Sequence, residues 1–126
     1  MKTYRGIRHP VTTMINGERG VGVRADVVVE DGPISRFLVV PSDINEFDWG
    51  RSGLSPARLA RCLIRDALPD LTEQAHLWFT DCFYHDIVVR LGLTWTMSQE
   101  DIVVWYQREK QKALDAASRA VMEMRL

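Results

Sequence analysis

The residue types that could carry chemistry concentrate in one loop and in the helix predicted after it. The loop Trp49-Gly50-Arg51-Ser52-Gly53 leads into a helix, and free N–H groups and the dipole at a helix start favour an anion. A phosphate or carboxylate could bind there beside Arg51. We favour the alternative, in which the glycines provide turn geometry and Trp49 fills the core, because the Gly-Lys-Ser/Thr ending of a P-loop is missing.

Arginines at spacings of three and four residues share one face of that helix. With the loop arginine they form the arginine stripe, which comprises Arg51, Arg58, Arg61 and Arg65. Guanidinium groups suit bidentate contacts with carboxylates and phosphates. We therefore consider the stripe a candidate surface for a protein partner or for nucleic acid. The alternative is an ordinary solvated helix face, which Asp66 and Asp70 neutralise in part.

The second predicted helix carries side chains of the kinds that bind metals. Asp81 and His85 lie four residues apart and share a face, whereas His76 falls nearly opposite. Two ligands make half a site, so we expect no metal and no cofactor. Asp86 falls among apolar positions, so we expect a buried carboxylate held in an ion pair, for example with Arg90.

No nucleophile has the neighbours that catalysis needs. Ser52, Ser55 and Ser98 occupy turn or cap positions. Cys62 and Cys82 occupy apolar helical positions and lack the exposed, electropositive setting that activates a thiol. We expect two reduced core cysteines and a non-catalytic protein, with a small enzyme of unknown reaction as one alternative.

The elements that must position these residues suggest one domain, sheet-rich over residues 1–46 and helical over 54–126. Extended segments are predicted at 4–7, 11–15, 21–30, 34–40 and 94–97. Asn16-Gly17 indicates a tight hairpin, because both residues tolerate positive φ. We place His9 in a loop beside Pro10, and we expect the hairpin around residues 17–22 to be exposed.

Cap and stop signals define three helices. The first has Ser55 as N-cap and Pro56 at its first position, and Pro69 ends it. Thr72 caps the second helix, which we expect to run to Leu91. The class is therefore α+β, with an antiparallel sheet of three to four strands against three helices. The predicted core comprises Trp49, Leu59, Leu63, Phe79, Phe83, Ile87, Trp95, Ile102 and Trp105.

The third helix is the longest. A capping box of Ser98 and Asp101 opens it, and from Gln99 to Met124 it spans about 39 Å at 1.5 Å per residue. Its distal part carries the α3 stripe, an apolar row at heptad-like spacing that comprises Leu114, Ala117, Val121 and Met124. We expect the stripe to mediate a homodimer or dock another protein. The alternative is that the helix packs back on its own core.

Composition narrows the function classes. The chain has 126 residues, and 16 basic against 17 acidic residues give a net charge of -1, so no global field attracts nucleic acid. No apolar run approaches the roughly 18 residues of a membrane span. The N-terminus lacks the apolar stretch of a signal peptide, so we expect a cytoplasmic protein.

Four pieces of sequence carry a resemblance to a known family: Tyr4-Arg5-Gly6, Val27–Pro33, the junction FDWGRSGLSPARLA at 47–60, and the set Phe83, Ile87, Leu91, Trp95, Asp101, Ile102 and Trp105. On these residues the chain resembles a small family of uncharacterised proteins encoded mainly on phages, plasmids and other mobile elements. We interpret residues 8–26 as an insertion and the helix beyond Trp105 as an extension. Ser55 stands where the family tends to have glycine.

The resemblance implies a genomic setting rather than a mechanism. From that setting we expect a mobile-element accessory protein that binds a host or defence protein, in the manner of an anti-CRISPR inhibitor. A nucleic-acid-associated regulator that uses the arginine stripe is the alternative.

Overall fold

The computed structural model describes residues 1–124. Its elements, in chain order, are β1 (Lys2–Ile15), β2 (Glu18–Asp31), β3 (Ile34–Phe37), α1 (Leu54–Ala67), α2 (Glu73–Asp86), a 3₁₀ turn (Val88–Arg90), β4 (Trp95–Ser98) and α3 (Gln99–Met124). The strands form one antiparallel sheet in the order β3-β2-β1-β4. The α+β class, the four-stranded sheet and the long C-terminal helix are as predicted. No helix within residues 1–124 has the length and apolar character needed to cross a bilayer.

β1 and β2 form a hairpin that is paired along its whole length, from Lys2 opposite Asp31 to Ile15 opposite Glu18. The Asn16-Gly17 turn is confirmed, with φ of 52° and 80°. The prediction of two short strands with His9 in a loop between them is wrong, because β1 runs through residues 9 and 10 without a break.

Proline is tolerated inside β1 because of the side to which its nitrogen points. Successive residues of a strand direct their N–H groups alternately to either neighbour. Tyr4 and Gly6 face the short strand β4, and Pro10 has the same parity. Its missing N–H therefore lies on an unpaired edge, and no ladder bond with β2 is lost.

The helices cover one face of the sheet near its base. Tyr4, Val27 and Val29 on that face are fully buried. The predicted core residues are buried, except that Ile87 is only partly buried at its margin. Trp95 packs flat against Gly6, where a Cβ atom would lie 2.1 Å from the indole Nε1. Glycine is required there because any side chain would occupy the volume of the ring.

α1 begins earlier than predicted. Its N-cap is Gly53 rather than Ser55, with φ of 147° and no side-chain cap. The first helical bond runs from the Ala57 N–H to the Gly53 carbonyl, so Pro56 occupies the third helical position. The N–H of that position has no partner within a helix, and a proline is therefore accommodated.

α2 ends five residues before the predicted end at Leu91. Thr72 caps it as expected, accepting from the Ala75 N–H. Beyond Asp86 the chain turns into a 3₁₀ segment, which rotates the following side chains away from the helical register. Asp86 is the last residue of α2 and is exposed, so the expected buried ion pair with Arg90 is wrong. The capping box of α3 is confirmed by two 2.9 Å bonds between Ser98 and Asp101.

Candidate protein-binding surfaces

The loop before α1 serves the core. Trp49 is only 3% exposed and donates from its indole N–H to the Leu93 carbonyl at 3.1 Å. Gly50 has φ of 75°, and a Cβ on it would lie 2.6 Å from the Leu91 carbonyl oxygen. Its N–H donates to the Val88 carbonyl at 3.0 Å. The glycine and tryptophan of this loop therefore have the turn and packing roles that we favoured from the sequence.

Arg51 is engaged with a neighbour. Its Nε donates to Asp48 at 2.6 Å, and Arg8 donates to the same carboxylate at 3.1 Å. Burial alone would raise the pKa of Asp48, but the bonds from the Trp49 backbone and the two guanidiniums outweigh it and lower that pKa. Two guanidiniums thus share one carboxylate, so the loop keeps a net positive charge, and the Nε of Arg51 is already engaged with Asp48.

Two of the other three members of the arginine stripe are paired with carboxylates. Arg58 contacts Asp43 and Arg65 contacts Glu73, both at 2.7 Å. Arg61 is the one member with no carboxylate within 4.0 Å among residues 1–124. The four guanidiniums lie on one helix face and its preceding loop, and three of them contact carboxylates in neighbouring loops or in α2.

The prediction that Asp66 and Asp70 neutralise part of the arginine stripe is wrong. Asp66 lies on the side of α1 that faces the sheet, where it accepts from the Tyr4 hydroxyl and from Arg36, both at 2.6 Å. Lys2 lies 3.4 Å from the same carboxylate. Asp70 forms no ion pair within the described part of the chain. The carboxylates that pair with the stripe, Asp43, Asp48 and Glu73, lie outside α1 in the preceding segments and in α2, so the spacing within α1 could not reveal them.

The polar residues of α2 separate as the helical wheel predicted. Asp81 and His85 form an exposed pair at 3.6 Å, while His76 is buried on the other side. Across residues 1–124, no three His, Cys, Asp or Glu side chains converge as a metal site would require. Burial raises the pKa of the Cys62 and Cys82 thiols, which makes both poor nucleophiles at neutral pH.

A polar cluster on the solvent side of the sheet was missed from the sequence. Asp26 is buried, accepts from Arg24 at 3.1 Å, and lies 2.6 Å from the Nε2 atom of His9. The cluster borders a groove of about 480 Å³ that Phe37 and Val39 also line. Placing His9 in a loop hid it, because only strand pairing brings residues 9 and 26 to adjacent positions.

An uncovered apolar surface of the hairpin is the outward continuation of the core face. Side chains at alternate strand positions share a face. Tyr4 and Val27 therefore share their face with a group beyond the helices, here called the hairpin face: Pro10, Thr12, Met14, Arg19, Val21 and Val23. Val21 is 79% exposed, and Val23 and Met14 are each 65% exposed. No other element within residues 1–124 covers this face.

The distal part of α3 is uncovered as well. Ile102 and Trp105 in the first two turns are buried, but every residue from 110 to 124 is exposed. In the α3 stripe, Leu114 is 53%, Val121 51% and Met124 85% exposed, and Ala117 is exposed too. The alternative in which this part packs back on its own core is therefore wrong.

Comparison with known proteins adds a family. Residues 15–108 match the group described as "Family of unknown function (DUF6166)". No curated protein and no solved structure matches the chain. The matched region contains the Trp49 loop, α1, α2 and the buried start of α3, and it leaves most of β1 and the distal part of α3 outside. Because the match spans more than half of the sequence, this chain belongs to the DUF6166 family.

Proposed function

We propose that this chain is a small, non-catalytic protein-binding domain that works by covering a surface of another protein. One observation carries the proposal: along β2, the face that buries Val27 and Val29 continues through the buried Ala25 to Val23 and Val21, which remain open. An exposed apolar surface of this kind is typical of a recognition element rather than of a packing defect.

The hairpin face also indicates the chemistry of its partner. Its middle is apolar, and its tip carries Arg19, which has no carboxylate within 4.0 Å among the described residues. A complementary target would present an apolar patch with an acidic side chain at the position facing Arg19. Apolar contact would supply most of the affinity, and the charge pair would orient the complex.

The α3 stripe offers a second contact on a separate element. Leu114 and Val121 lie two helical turns apart on an exposed helix, the arrangement that helix-in-groove recognition uses. We propose that it docks a target or pairs with a second copy, as its spacing suggested. With the hairpin face, it extends the binding area toward the roughly 800 Å² per partner of a standard specific interface.

The finer form of the proposal concerns the target. The resemblance to proteins of phages, plasmids and other mobile elements favours a cytoplasmic accessory protein that inhibits a host or defence component by occlusion, as anti-CRISPR proteins do. What supports it is the genomic setting that the resemblance implies, together with the exposed apolar surfaces of the hairpin and of α3.

The test is affinity capture from the native host with a matched pair of variants. We expect Val21→Asp combined with Val23→Asp to lose a partner that the unchanged protein retains. Ile15→Asp is the control, because Ile15 is similarly exposed but lies on the opposite face of the ribbon. Equal capture by all three proteins would refute binding through the hairpin face.

A nucleic-acid-associated regulator is the alternative. What favours it is that Arg61 has no carboxylate within 4.0 Å among residues 1–124. Replacing Arg58, Arg61 and Arg65 together by Ala should leave the fold intact and abolish salt-dependent retention on DNA or RNA. If the unchanged protein is not retained on DNA or RNA at low salt, this alternative is excluded.

A small enzyme is the second alternative, and the bond between His9 and Asp26 is the feature that favours it. A carboxylate that orients a histidine is a common part of general-base catalysis. The groove beside them is lined otherwise by Arg24 and apolar side chains, with no hydroxyl or thiol. Any activity found would have to disappear in His9→Ala while the thermal melt stays unchanged.

A further inference from the structure

One edge of the hairpin carries free backbone groups. β3 pairs with β2 only over Val28–Asp31. Next to it, the Leu38 N–H donates to the Val27 carbonyl, and the Ala25 N–H donates to the Glu46 carboxylate, both at 2.8 Å. Ala25 and Val27 are odd-numbered residues of β2, and their backbone N–H and carbonyl groups point away from β1.

By the same alternation, residues 19, 21 and 23 direct their N–H and carbonyl groups to the same side. No segment among residues 1–124 pairs with them there. The opposite edge of the hairpin is blunted by Pro10, which cannot donate to an added strand. The β2 edge from Arg19 to Val23 is therefore the edge of the hairpin that can accept another strand.

We propose that this edge pairs with the β2 strand of a second copy of the chain, antiparallel, about a two-fold axis at Val21. The turn at Asn16-Gly17 limits the free edge at one end, and the bonds at Ala25 and Val27 limit it at the other. Its midpoint is Val21, so a symmetric pair places Val21 opposite Val21, and Arg19 opposite Val23 of the second copy.

Charge complementarity supports this occupant and this register. The same pairing sets Glu18 opposite Arg24 of the second copy, and symmetry produces the contact twice. The alternative register centred on Gly22 would set Glu18 against Asp26 of the second copy, two like charges. Gly20 and Gly22 lie between the charged positions. The dimer joins two hairpins into one four-stranded ribbon and leaves both hairpin faces free, and Glu18→Arg, which lies off the hairpin face, tests it apart from the proposed function.

A cysteine pair tests the register. In Val21→Cys, the two thiols lie on directly opposed residues whose Cα atoms are about 5.5 Å apart, within the range that a disulfide spans. In the control Val23→Cys, the two positions are offset by four residues, about 13 Å. Under mild oxidation we expect a covalent dimer from Val21→Cys and little from Val23→Cys, with unchanged protein showing any contribution of Cys62 and Cys82. Equal cross-linking, or none from Val21→Cys, would overturn the register.

Charge reversal tests whether a second copy of the chain occupies the free edge of β2. Glu18→Arg and Arg24→Glu should each weaken the dimer about tenfold in sedimentation, because each homodimer sets like charges opposite one another twice. An equimolar mixture should form a dimer, since both cross-strand pairs then become complementary. Arg24 also contacts Asp26, so a thermal melt must show that this variant folds. If it does not, Glu18→Arg alone should weaken the dimer about tenfold. The proposal is overturned if the unchanged protein stays monomeric at several hundred micromolar. It is also overturned if the dimer is lost only with Leu114→Asp plus Val121→Asp, because the dimer would then form through the α3 stripe.

Discussion

At its base, the β1–β2 hairpin presents Tyr4, Val27 and Val29 to the helices, and at its tip the same face presents Val21 and Val23 to solvent. The strands, the face and the residue types are alike at both ends. Only the neighbouring elements differ, because α1, α2 and α3 reach across the base and not the tip. Burial in this sheet is therefore decided by what lies above a strand, and apolar alternation alone does not reveal it.

The same contrast exists along α3. Ile102 and Trp105 pack beneath α2 and the sheet, where Phe83 contacts the Trp105 ring at 5.0 Å between centroids. Leu114 and Val121 continue the helix into solvent. Both protruding parts expose apolar side chains and continue elements of the core, which is why we propose binding through them rather than through the arginine stripe.

A matched pair of substitutions on one strand should give the largest effect. Val27→Asp buries an unpaired carboxylate at the base, so we expect a loss of about 3–5 kcal/mol or more in unfolding free energy. Val23→Asp, four residues away on the same face, should change it by less than about 0.5 kcal/mol. Chemical denaturation measures both. Similar losses would mean that the tip is covered and that the contrast is wrong.

Trp49→Ala should rank next. The indole is buried, packs edge-on against Trp95 and donates to the Leu93 carbonyl. Removing it should cost about 3–5 kcal/mol through the cavity that it leaves. A thermal melt shifted by only one or two degrees would instead place this ring on a binding surface.

His76 offers a test of pH dependence within the covered part. Both ring nitrogens are buried and have no hydrogen-bond partner among residues 1–124, and burial, aided by the Arg65 guanidinium, lowers the pKa of this histidine below 6.5. The unfolded chain then binds the proton more readily, so stability should decrease as the pH falls through 6.5. His76→Leu should add about 1–3 kcal/mol and flatten this dependence. His85→Leu, at an exposed position, is the control.

The smallest effect on stability is expected at the far end of α3. Leu114→Asp combined with Val121→Asp should change the melting temperature by no more than a degree or two, since neither side chain packs on the core. Mass by light scattering and capture of a partner are the sensitive measurements here. If the double variant unfolds, the distal helix has a packing role. If mass and capture are both unchanged, the α3 stripe is not an interface.

Much of the local structure was predictable because its causes are local. The Asn16-Gly17 turn, the Thr72 cap and the capping box at Ser98 depend on residues within three positions of each other. Errors arose where one residue allowed two local solutions. Gly53 could cap α1 as well as Ser55 could, and Pro10 is compatible with a strand only when its edge is unpaired.

The sequence by itself determined the class, the core and the apolar alternation of β1 and β2, since these follow from periodicity and from side-chain volume. Tertiary structure decided which arginines of α1 have partners, because Asp43 and Glu73 reach Arg58 and Arg65 from outside the helix. It also brought His9 to Asp26, and it left the tip of the hairpin uncovered. Those outcomes depend on register and on the reach of the helices, which are properties of the assembled fold and not of any segment in it.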